Sequence, residues 1–165
     1  MIGYMSLEEQ VDKDFVRARH RAFFGRIAAR VRKNKGGSGL LAFEEARKAI
    51  GADNRLYLGR RVVEVSKIMG SVSRHREFDF GFMPAKGSMA ERWKRIDRAF
   101  HRGVELQLVR LYKLLGDAYF VEDGNHRVSV FRYQGVEMID AEVTEFYPRL
   151  YADLEHGNNV RGWAA

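Results

Sequence analysis

Tyr119-Phe120-Val121-Glu122-Asp123-Gly124-Asn125-His126-Arg127-Val128 is the stretch on which the reading of the chain turns. An apolar, β-like run stops at two acids, a glycine follows, three polar side chains come next, and a helical pattern begins at Val128. Strand, glycine turn and helix point free backbone N–H groups at an anion, and the helix dipole adds about half a positive charge at the same end. His126 and Arg127 add side-chain donors suited to phosphate oxygens. Asp123 is the neighbouring residue that can accept a proton or hold a metal. The plain alternative is a turn with a helix cap and a solvated His126-Arg127 pair, since Asp-Gly is a common turn dipeptide.

Outward from this stretch, the helix from about His126 ends at Gly135, and Met138 to Phe146 reads as a strand. Pro148 can open a last short helix, and Gly157-Asn158-Asn159 begins a weakly ordered tail. Upstream, Leu106 to Tyr112 alternates as a strand would, and Gly116-Asp117 turns it into the strand Ala118 to Val121. Ser88-Met89-Ala90-Glu91 is a capping box. It predicts a helix with Met89, Trp93, Ile96 and Phe100 as a core stripe, ended by Gly103. Ser71 to Gly87 reads as a loop rich in Arg, Phe and Gly, Arg61 to Val65 as a β-run, and Leu40 to Ile50 as a short helix stopped by Gly51.

At the N-terminus, Ser6-Leu7-Glu8-Glu9 is another capping box and predicts a helix from about Leu7 to Asn34. Val16, His20, Phe23, Ile27 and Val31 form an apolar stripe with Phe24 beside it, and Ala18, Ala22 and Ala29 lie roughly opposite. Residues 15–35 hold eight basic residues and no acid, so the net charge of +7 belongs to this segment and the remainder sums to −1. Arg19, Arg26, Arg30, Arg32 and Lys33 are the candidate contacts to DNA or RNA phosphates, a sequence-independent and salt-sensitive attraction. The stripe is expected to pack on the body or on a second copy in a homodimer, with His20 as a packed polar residue. Gly36-Gly37-Ser38-Gly39 lacks the Gly-Lys-Ser/Thr ending of a phosphate loop and reads as a linker.

Composition narrows the class. The chain has 165 residues, 45% apolar and 31% charged, as in a one-domain globular protein. No cysteine is present, which excludes thiol catalysis, disulfides and Cys-based zinc sites and fits a cytoplasmic location. No apolar run is long enough to span a membrane, and Met1 to Asp14 does not read as a signal peptide.

Val62-Val63-Glu64-Val65-Ser66-Lys67-Ile68, Ile96-Asp97-Arg98-Ala99-Phe100-His101-Arg102-Gly103, the Tyr119 to Arg127 stretch and Gly135-Val136-Glu137-Met138-Ile139 occur in an order that resembles one family. It is the N-terminal domain shared by ParB-type partition proteins and sulfiredoxins, and the resemblance covers about Arg61 to Phe146. It implies a compact α+β fold, a mixed sheet with flanking helices, here preceded by the long basic helix. Residues 1–35 would be a basic arm, 36–60 a linker with a short helix, 61–148 the domain, and 149–165 a short helix and tail.

The family's Gly-x-His-Arg turn binds nucleotide phosphates. Its members include CTP-binding partition proteins, ATP-dependent sulfiredoxins, a free serine kinase with an Asp-Gly-His-His-Arg turn, and some nucleases. By position, the resemblance implies that Gly124, Asn125, His126 and Arg127 bind the phosphates of a nucleoside di- or triphosphate (ATP, ADP or CTP) with Mg²⁺. Asp123 would act on a substrate hydroxyl. Without cysteine the sulfiredoxin mechanism is excluded, and Asn125-His126-Arg127 stands where partition proteins favour Glu-Arg-Arg, so CTP specificity is not implied. Fewer than twenty residues follow Phe146, so the DNA-binding and dimerisation domains of full partition proteins are not expected.

Two function classes follow. One is a nucleotide-responsive regulatory or nucleic-acid-associated module. The other is a phosphoryl-transfer enzyme (a small-molecule kinase or NTPase) or a nuclease using Asp123. Arg74 and Arg76, with His75 and Lys86, lie in the loop that can approach the phosphate turn. Glu64, Glu77 and Asp79 are candidate magnesium ligands or bases, and Phe78, Phe80 and Phe82 would pin the loop to the body or stack on a base.

Overall fold

Ser6 opens the first helix as its sequence predicts. Its N–H donates to Glu9 Oε2 at 2.9 Å, and its Oγ accepts the Glu9 N–H at 3.2 Å. The computed structural model describes residues 5–31 and 39–149, with the first helix followed by its backbone alone beyond residue 25. Residues 36–38 of the expected linker and the expected C-terminal helix and tail past 149 lie outside the described residues, while Gly39 bridges to Asp79.

In chain order the elements are α1 (Leu7–Val31), β1 (Leu41–Ala42), α2 (Phe43–Ala49), β2 (Asn54–Glu64), β3 (Ile68–Ser71), α3 (Ala90–His101), β4 (Val109–Leu114), β5 (Ala118–Asp123), α4 (Asn125–Gln134) and β6 (Met138–Tyr147). The strands form one mixed sheet ordered β1-β3-β5-β4-β6-β2. β3 runs parallel to β1 and β5, and β4 parallel to β6, while β4–β5 and β2–β6 are antiparallel. The fold is α+β, with helices flanking a mixed sheet and a helix at the N-terminus.

Alternation along the strands sorts the core into two faces. Val109, Leu111, Val121, Ile139, Ala141 and Val143 meet Val128 of α4 and the loop residues Phe78 and Phe82 on one face. On the other, Phe120 and Leu114 pack with Phe43 of α2. Phe78 and Phe82 are buried and pin the loop, whereas Phe80 is exposed.

α1 packs on the body through the face opposite to the expected one. Val11, Phe15, Ala18 and Ala22 are buried, and Phe15, Ala18 and Ala22 cluster with Met83, Trp93 and Val130. Val16, Phe23 and Phe24 are exposed, and so is His20. Alanines let α1 come close enough to α3 for the Trp93 indole to fill the space between them, a fit that a stripe of large side chains would prevent. Ring centroids of Phe15 and Trp93 lie 5.6 Å apart.

Two further boundaries differ from the sequence reading. The Ser88 capping box does not form: a 3-10 turn at Gly87–Met89 leads into α3, which has no side-chain cap. β2 begins at Asn54 rather than Arg61. It is an edge strand in which Val63 is the one fully buried residue, so no alternation marks its start. Among the described residues, no helix is long and apolar enough to cross a membrane.

Candidate functional site

β3 and β5 lie parallel and adjacent, so their carboxyl ends deliver the loop after β3 and the turn after β5 to one edge of the sheet. Clefts for ligands form at this place in open sheets. Gly124 makes the turn into α4 at φ 105°, a left-handed conformation that only glycine adopts without strain, and a Cβ there would sit 2.9 Å from Arg127 Nε. α4 starts at Asn125, one residue earlier than predicted, and no side chain caps it. Its first backbone bond runs from Val128 N–H to Gly124 O at 3.0 Å. The N–H groups of Asn125, His126 and Arg127 therefore have no acceptor inside the helix.

The first turn of α4 is not a solvated cap. Asn125, His126 and Arg127 are all buried, His126 to 5% exposure, and Asn125 Oδ1 and His126 Nδ1 have no hydrogen-bond partner among the described residues. Such orphaned buried groups are uncommon and call for a physical reason. The His126 ring stands edge-on to Phe78 with centroids 5.4 Å apart. Burial lowers its pKa from 6.5 to about 4, the nearby Arg92, Arg74 and Arg95 push the same way, and Glu77 opposes them. The ring is thus neutral at pH 7, able to offer one donor and one acceptor.

Arg127 is a brace before it is a ligand. Its Nη2 pairs with Asp123 Oδ2 at 2.7 Å and its Nη1 donates to the Gln107 carbonyl at 3.0 Å. Asp123 is half-exposed and already committed to this pair. Arg74 lines the cleft and pairs with Glu77 at 2.8 Å, while Arg76 is exposed and does not line it.

The positive charge that faces the turn comes from α3, which the sequence reading did not single out. Three adjoining hollows of about 180, 260 and 290 Å³ all include Arg92. Arg95 lines the third, and Lys86 the second. Among the described residues, Arg92, Arg95 and Lys86 make no ion pair, nor does Glu105 of the third hollow, whereas Glu77, Glu122 and Asp123 each have an arginine partner. None of the lining residues is Phe, Tyr or Trp, so the cleft offers charge without a stacking platform.

The candidate acids do not converge. Glu64 is bonded by Ser66 and lies 3.8 Å from Lys67, Glu77 is held by Arg74, and buried Asp79 accepts the N–H groups of Gly81 and Met83 at 2.9 and 2.7 Å. On the arm, Arg19 is exposed, and its guanidinium lies against Gly87, beside Lys86 and Ser88. The Arg26 and Arg30 side chains, and Arg32 and Lys33 altogether, lie outside the described residues. No family model matches the chain, and no curated protein or solved structure matches it, so this geometry stands on its own.

Proposed function

We propose that the cleft at the start of α4 binds the phosphates of a nucleoside di- or triphosphate, and that the protein is a nucleotide-responsive module of the kind the ParB/sulfiredoxin resemblance implies. The observation that carries this reading is an uncapped helix N-terminus set beside two buried, unpartnered polar atoms, Asn125 Oδ1 and His126 Nδ1, and faced by the unpaired Arg92 and Arg95. Backbone N–H groups donate to the phosphate oxygens, and the guanidinium groups of α3 offset their charge. The donor set suits phosphate better than a free metal ion. Glu122 and Asp123 are each held by an arginine, so Mg²⁺ would arrive with the phosphates it bridges. A partner role for DNA or RNA along Arg19 and the rest of the arm, a homodimer and a cytoplasmic setting belong to the same reading.

A thermal-shift screen with ATP, ADP, CTP and GTP plus Mg²⁺ tests it. A ligand at about 100 times its Kd adds ~2.7 kcal/mol, a rise of roughly 5–10 °C for a chain of this size. The rise is expected to vanish in an Arg92→Ala/Arg95→Ala variant, whose side chains lie on the exposed face of α3 and leave the fold intact. No rise with any nucleotide would reject the proposal. Asp123 lines the cleft and is half-exposed, which favours phosphoryl transfer as the second reading. Asp123→Asn then keeps nucleotide binding and loses turnover, whereas a pure binding module shows no turnover to lose.

A further inference from the structure

Asp14 of α1 and Asp97 and His101 of α3 meet beside Tyr133 and Gln134 of α4, and one ligand atom from each of the three lies within 4.8 Å of the others. Asp14 is 3% and Asp97 0% exposed. Both acids are held by hydrogen bonds and each turns its Oδ2 toward the imidazole, with Gln10 Nε2 also 3.1 Å from Asp14 Oδ2. Asp14 Oδ1 accepts from Tyr133 OH at 3.0 Å and from Gln10 Nε2 at 3.1 Å, and Asp97 Oδ1 accepts from Gln134 Nε2 at 2.7 Å. The Oδ2 atoms of Asp14 and Asp97 lie 3.0 and 3.6 Å from His101 Nε2. Asp97 Oδ2, wholly buried, has no hydrogen-bond partner among the described residues.

We propose that Asp14, Asp97 and His101 form a binding site for a divalent transition-metal ion, Zn²⁺, that staples α1 to α3 and α4. Carboxylate oxygen and imidazole nitrogen are ligands that Zn²⁺ takes, and three protein groups leave a fourth position open. Gln134 can fill it. Its Nε2 now stands 2.7 Å from Asp97 Oδ1 and 3.3 Å from both Asp14 Oδ2 and His101 Nε2, a donor placed among the groups a cation would bind. A half-turn of the amide exchanges that nitrogen for its oxygen. Tyr133 and Gln10 supply the outer hydrogen bonds that fix a ligating carboxylate.

Burial pushes the Asp97 carboxyl up to about 6, with the Gln134 hydrogen bond opposing and the Asp14 charge adding to the rise. Asp14 is also raised by burial, yet hydrogen bonds from His101, Gln10, Tyr133 and Gln134 hold it below its usual value. Two buried carboxyls and a single imidazole share one place. The His101 side chain is a quarter exposed and gives the ion an entry path. Because Asp14 is on α1, metal affinity and docking of α1 are linked.

The test is titration of the chelator-treated full chain with Zn²⁺ by calorimetry, followed by thermal melting. One Zn²⁺ per chain is expected, with a rise of about 5–10 °C at 100 times Kd. Mg²⁺, which prefers all-oxygen ligands, is expected to give no rise. Asp97→Asn and His101→Ala should each lose the stoichiometric binding and the rise. His101 sits at the exposed rim, so its variant decides the matter if Asp97→Asn fails to fold. No stoichiometric Zn²⁺ in the wild-type chain, or equal binding by folded variants, overturns the proposal. The site shares no residue with the cleft, so either proposal can fail alone.

Discussion

Trp93→Ala is expected to cost about 4 kcal/mol of folding stability and to lower the melting temperature by roughly 10 °C. Trp93 is fully buried where three helices meet. Its ring lies 5.6 Å from Phe15 of α1 and 5.6 Å from Tyr133 of α4, and its Nε1 donates to Ser129 Oγ at 2.9 Å. Truncation opens a cavity that α1 and α4 cannot both collapse into, and it leaves the buried Ser129 hydroxyl without its donor. Trp93→Phe separates the two parts: it keeps most of the packing, loses the hydrogen bond, and should cost only about 1–2 kcal/mol. Urea denaturation of both variants checks the ranking. A cost under about 1 kcal/mol for Trp93→Ala would mean that α1 does not depend on this contact.

Acid is expected to act on the protein through His126. Its pKa falls to about 4 in the folded chain from an ordinary 6.5, chiefly through burial. Between those values the unfolded chain takes up a proton that the folded chain refuses, so His126 removes stability as pH falls from 6.5 to 4 and adds no further slope below. The full effect is about 3 kcal/mol. Asp97 carries the opposite slope, because its pKa is raised to about 6 and the folded chain gains its proton first. The whole-protein profile therefore mixes two opposed contributions. The expected result lies in a comparison: His126→Asn becomes less acid-sensitive than wild type by about 3 kcal/mol between pH 7 and pH 4. Denaturation curves at the two pH values measure it, and equal pH dependence of the two proteins would show that His126 titrates normally.

The strand, glycine and helix around Gly124 were legible because the period changes there from two to 3.6 at a residue with positive φ. The capping box at Ser6 was legible because both of its hydrogen bonds are local. The same pattern at Ser88 failed, since a 3-10 turn competes for the start of α3. The face of α1 was misread because alanine is weakly apolar, and its small size matters only once Trp93 is known to lie opposite. Arg92 and Arg95 looked like an ordinary polar helix face, and only the fold brings them over the α4 terminus. Asp14 and Asp97 are far apart in sequence, so nothing local announces their meeting.

The measurement that bears most directly on the proposed site is a titration of the labelled protein with nucleotide and Mg²⁺, followed through backbone amide NMR shifts. The amides of Asn125, His126 and Arg127 are expected to move together and saturate, and Arg92→Ala/Arg95→Ala to abolish the movement. Saturating shifts confined to α1, or no shift at any of the three amides at millimolar nucleotide, would contradict the proposed site.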